Sequence, residues 1–141
     1  LFGAFPLGAS FHALVPQRLL DTRGGYPLFG ATPRTQQVAG LGGVPGSPLP
    51  SGAVLTLTLL NPAGPGWATI YPCATGQPNT SMINVVSNRE QTNAVIPAID
   101  AAGTVCLYSS TTSHVLVDVS GWSGAAFLPL TPARLLDTRI G

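Results

Sequence analysis

Short apolar or alternating runs, each closed by glycine, proline or small polar residues, follow one another along most of the chain. Val54-Leu-Thr-Leu-Thr-Leu-Leu60 alternates Leu55, Leu57 and Leu59 with Thr56 and Thr58. A period of two puts the leucines on one face of a strand and the hydroxyls on the other. Residues 67–71, 81–86, 92–96, 105–109 and 114–119 read as further strands. Asn61-Pro-Ala-Gly-Pro-Gly66 stops the strand before it, because proline fixes φ and glycine permits reversal, and is expected to return the chain as a hairpin into Trp67-Ala-Thr-Ile-Tyr71. Asp100-Ala-Ala-Gly103 reads as a tight turn and the serine-rich 109–113 run as a hairpin tip. The stretch 39–50 holds too much glycine and proline for a regular element and is expected to cross one end of the molecule as a loop. No segment carries the period of an amphipathic helix. The pattern predicts an all-β fold, an antiparallel β-sandwich of jelly-roll or Ig-like type with about seven or more strands.

Composition narrows the role. The 141 residues carry 8% charged side chains, 17 glycines and 14 prolines, and a formal net charge of +1. That excludes a charge-laced helical protein, and it leaves no electrostatic footprint for nucleic acid or an acidic membrane. A hydrophobic content of 45% excludes a disordered chain. No run of apolar residues is long enough to span a bilayer. Cys73 and Cys106 end two strand-like segments, and with no lysine and little charge they predict a structural disulfide in an extracellular or cell-surface protein. The chain opens at Leu1 with no basic residue among its first ten, so a mature product whose secretion signal has been removed is expected.

The most informative feature is a repeat. Phe11-His-Ala-Leu-Val-Pro-Gln-Arg-Leu-Leu-Asp-Thr-Arg23 returns as Phe127-Leu-Pro-Leu-Thr-Pro-Ala-Arg-Leu-Leu-Asp-Thr-Arg139. Flanking matches include Gly8 with Gly124, Ala9 with Ala125 and Gly25 with Gly141. With unrelated sequence between the copies, this is one whole module followed by the start of a second. The expected organisation is an N-terminal extension or strand at 1–10, a sandwich module at 11–126 and a second copy of the opening motif at 127–141. Arg18, Asp21 and Arg23, with Arg134, Asp137 and Arg139, are expected to form ion networks that fix a strand at a seam between modules.

These motifs, together with Val38-Ala-Gly-Leu-Gly-Gly-Val-Pro45, Trp67-Ala-Thr-Ile-Tyr-Pro-Cys73, Gly103-Thr-Val-Cys-Leu-Tyr-Ser109 and Val115-Leu-Val-Asp-Val-Ser-Gly121, resemble a repeat domain of secreted and surface proteins of actinobacteria. The resemblance covers nearly the whole chain. It implies an extracellular β module, in tandem or appended to secreted enzymes and adhesins, without a catalytic role.

Candidate chemistry is sparse. His114 and Asp118 lie on one side of a strand, yet Val115, Val117 and Val119 mark that strand as sheet interior, and Asp118 is expected to be structural, hydrogen-bonded or paired to an arginine. No nucleophile elbow and no clustered metal-ligand spacing is present, so neither catalysis, cofactor nor metal is expected. Asn79-Thr-Ser81 matches a glycosylation acceptor. Trp67, Tyr71 and Tyr108 are the candidate ligand-facing aromatics, with Tyr26 and Trp122 elsewhere. The expected function is an extracellular structural or adhesive subunit that assembles head to tail as a homo-oligomer through its terminal strands. The alternative is a module binding carbohydrate of a cell wall or cell-surface glycan.

Overall fold

The computed structural model describes residues 3–4, 10–28, 30–125, 127–130 and 133–139. Its strands are β1 (Gly3–Ala4), β2 (Phe11–Asp21), β3 (Arg34–Gln37), β4 (Gly52–Leu60), β5 (Gly66–Tyr71), β6 (Ile83–Val85), β7 (Gln91–Val95), β8 (Thr104–Ser109), β9 (His114–Ser123) and β10 (Leu128–Pro129). One sheet runs β2-β9-β4-β7 and the other β3-β8-β5-β6, all pairs antiparallel. Eight strands in this order form a jelly roll. The expected all-β sandwich is present, and the strand order selects the jelly roll over the Ig-like alternative.

In this topology the chain changes sheet at nearly every connection, and the expected hairpins are corrected accordingly. β4 and β5 belong to different sheets, as do β8 and β9. β4 is already flanked by β9 and β7, so β5 finds no free edge beside it. The turn between them crosses from sheet to sheet instead, with Asn61 at φ 48°. It is tied down by Ala63 N–H donating to Thr112 O at 2.9 Å and by Asn88 N–H donating to Pro62 O at 2.9 Å.

Alternation on β4 is as expected: Leu55, Leu57 and Leu59 are buried between the sheets, while Thr58 Oγ1 bonds Thr92 Oγ1 across to β7 at 2.9 Å. They pack with Ile70, Val95, Val105, Leu107, Val115, Val117 and Val119 in one core. Each such side chain stabilises the fold by roughly 1.5–3 kcal/mol. The loop over 39–50 seals one end of this core with Val38 and Val44. At Gly42, φ is +58° and a Cβ would stand 2.7 Å from Val119 Cγ1 and 2.9 Å from Leu19 Cδ2, so only glycine lets the loop lie this close.

Cys73, in a short 3-10 turn after β5, is bonded to Cys106 of β8 with a Cα–Cα distance of 4.9 Å. Among the described residues no helix is long and apolar enough to cross a membrane.

Candidate functional site: the two motif copies

The first copy lies on β2, an edge strand. Arg18 sits opposite Asp118 of β9, in a row that continues to Thr56 and Ala94 on the outward face of the sheet. The carboxylate accepts from both Arg18 Nε and Nη2, the latter at 3.2 Å. Asp21 Oδ2 accepts from Arg23 Nη2 at 2.6 Å and from Arg18 Nη1 at 3.3 Å, and Asp21 Oδ1 accepts the Arg23 backbone N–H at 3.0 Å. The Arg23 guanidinium, with help from that N–H, holds the Asp21 carboxyl well below the usual range. The bond to Asp118 raises the Arg18 guanidinium further. Arg18, Asp21 and Arg23 thus lie in one ion network in the first copy, and Asp118 joins it through Arg18.

The second copy repeats the geometry without the sheet. Asp137 Oδ2 accepts from Arg139 Nη2 at 2.6 Å and from Arg134 Nη1 at 2.9 Å, and Asp137 Oδ1 accepts the Arg139 backbone N–H at 3.1 Å. Asp137 is held low by Arg139 in the same way. The cluster is thus a local product of the Arg-x-x-Asp-x-Arg spacing. Residues 133–139 form no strand, and among the described residues nothing occupies the place that Asp118 takes beside Arg18.

The two copies differ most in their leucines. Leu19 and Leu20 are half-buried against the core, whereas their equivalents Leu135 and Leu136 are 91% and 77% exposed. The copy departs from the module only after its first residue. Phe127 is buried over Gly52, where a Cβ would meet its Cε1 at 2.8 Å, just as Phe11 occupies the space over Gly121.

The termini meet each other. Gly3 pairs with Pro129 and Ala4 with Leu128. Within the sandwich, Ala13 pairs with Gly121 and His12 with Trp122. Pro129 and Leu128 are the repeat equivalents of Ala13 and His12, so Gly3 stands where Gly121 stands and the N-terminal segment imitates the end of β9. Of the expected terminal segments, residues 1–2, 5–9, 126, 131–132 and 140–141 lie outside the described residues.

The aromatic candidates separate. Tyr71 is buried, with its phenol pushed up by burial, so it presents no ring to a ligand and that expectation is corrected. Trp67 and Tyr108 are half-buried with ring centroids 5.0 Å apart and planes tilted by 43°. Trp122 stacks on His12 at 3.9 Å, and Tyr26 is exposed. His114 Nδ1 donates to Thr22 O at 2.9 Å while Asp118 is engaged by Arg18, so the two side chains serve separate structural bonds. Among the described residues no group of three or more His, Cys, Asp or Glu could hold a metal ion.

Two features were missed from sequence. Thr22 is buried, and its Oγ1 accepts the Val115 N–H at 2.8 Å, pinning the end of the motif to β9. Asn79, Ser81 and Asn84 gather beside Trp67 in a surface pocket that Arg134 and Arg139 complete. The first signal was present, a threonine inside the repeated motif; the second depends on where the second copy lies. No protein-family model matches the chain, and no curated protein or solved structure does.

Proposed function

We propose that the protein is an extracellular structural module that assembles head to tail, through its terminal segments, into a filament or array. The observation that carries this reading is the contrast between Leu19–Leu20, packed on a core, and Leu135–Leu136, exposed beside an intact ion cluster. Two adjacent leucines held in water by a preformed motif are a surface in need of a partner. The register of the terminal ladder supports a second copy as that partner. A contact made within one chain between Gly3–Ala4 and Leu128–Pro129 forms equally well between the C-terminal segment of one copy and the N-terminal segment of the next. Such a contact joins unlike ends and does not close, so it propagates. The disulfide and the resemblance to actinobacterial surface repeats support the extracellular setting.

The test is sedimentation of the double variant Leu135→Asp/Leu136→Asp against the parent chain. Both side chains are solvent-exposed in the single chain, so the variant folds with an unchanged β signal. It is expected to remain monomeric under conditions where the parent assembles. Assembly of the variant to the same extent as the parent contradicts the reading.

A further inference from the structure

The outward face of the β3-β8-β5-β6 sheet carries a pocket of about 210 Å³, one wall of which is formed by the second motif copy. Trp67 of β5 and Asn84 of β6 are register partners and flank it together. The Trp67 ring is steadied from behind by Tyr108. Asn84 Oδ1 accepts from Ser81 Oγ at 2.8 Å, which fixes the amide and leaves its Nδ2 as a donor. Thr80, on the same wall, has a buried Oγ1 without a hydrogen-bond partner among the described residues. Arg134 and Arg139 form the remaining wall. Their bonds to Asp137 use Nη1 of the first and Nε and Nη2 of the second, so guanidinium donors remain on each. Two arginines against one carboxylate leave the wall with a surplus of one positive charge.

We propose that this pocket binds one ring of an acidic saccharide, a uronate. An indole face receives the apolar C–H face of a sugar ring, amide and hydroxyl groups at fixed positions read its hydroxyls, and guanidinium donors take a carboxylate. The volume suits a single ring rather than a larger ligand. A neutral sugar leaves the surplus charge uncompensated, and a bare phosphate leaves the indole face unused.

Isothermal titration of the full chain with trigalacturonate, and with galactotriose as the neutral counterpart, tests this. The expected result is saturable binding of trigalacturonate, at least tenfold weaker binding of galactotriose, and weakening with salt. Arg139→Gln and Asn84→Asp are exposed positions that leave the fold intact, and each is expected to weaken trigalacturonate binding at least tenfold, the second by setting a carboxylate against the uronate. Trp67→Phe is expected to retain binding that Trp67→Ala loses. Absence of saturable binding, equal affinity for the two trisaccharides, or unchanged affinity in Arg139→Gln and Asn84→Asp overturns the proposal. Asn84→Asp and the Trp67 variants lie outside the terminal segments, so their sedimentation follows the parent and a failure of sugar binding in them is distinct from a failure of assembly.

Discussion

Arg18 and Asp118 face each other directly across β2 and β9, and two bonds join the guanidinium to the carboxylate. This pair ties the repeated motif to the sheet, whereas the bonds among Arg18, Asp21 and Arg23 form within the motif. Both side chains retain solvent contact, at 41% and 26% exposure, so solvent screening limits the coupling to about 1 kcal/mol. A double-mutant cycle with Arg18→Ala and Asp118→Ala, read by urea denaturation, is expected to give that coupling at low salt and less at high salt. A coupling near zero at low salt contradicts the role assigned to Asp118.

The disulfide closes a 33-residue separation that spans β6, β7 and the start of β8. In the chain-entropy model such a loop contributes roughly 3–4 kcal/mol. The Cys73→Ser/Cys106→Ser variant is expected to lose about that much in denaturant unfolding while its β signal in circular dichroism persists, because the core side chains lie between the sheets and do not depend on the bridge.

Gly42 and Gly76 both have positive φ, at +58° and +73°, but only Gly42 is crowded. Gly76→Ala is expected to cost about 1 kcal/mol, the backbone term alone. Gly42→Ala adds overlap with Val119 and Leu19, and the total is expected to reach about 2–4 kcal/mol. Equal losses of thermal stability in the two variants would show that the loop over 39–50 does not press on the core.

Acid should act late and in a defined direction. Asp21 and Asp137 are held low by their arginines. Burial pushes the Asp100 carboxyl up, but the N–H and hydroxyl of Thr104 and the N–H of Ala102 outweigh it and hold it below its ordinary value. For carboxyls depressed in the fold, the stabilisation is fully present above the unfolded value near pH 4 and is lost as pH falls through the folded values. Melting temperature is therefore expected to be flat from these groups between pH 7 and 5 and to fall below about pH 4. Asp100→Asn is expected to lower stability at pH 7 and to shrink the fall in acid.

The sandwich was legible because alternation at Leu55, Leu57 and Leu59 reports directly which face is buried, and the cysteines reported their pairing through the ends of the strands that carry them. The connections were not legible. Asn61 to Gly66 announces a break in a strand, but the same proline and glycine chemistry serves a return to the same sheet or a crossing to the other. The occupied edges of β4 decide between these, and they are set by residues far along the chain. Tyr71 was misjudged for a related reason. Residues 68–71 are buried on both faces of β5, and the bridge from Cys73 to Cys106, the register neighbour of Tyr71, brings the following turn back over this region. The repeat disclosed the ion clusters, since their bonds are local, but not the opposite fates of Leu19–Leu20 and Leu135–Leu136. Those fates depend on whether a β9 strand lies alongside.

Electron microscopy of the purified protein under non-reducing conditions tests the central claim most directly. Head-to-tail assembly through the terminal segments predicts ordered fibres or arrays whose axial repeat is one module. A field of dispersed single-module particles, under conditions where the disulfide is intact, contradicts it.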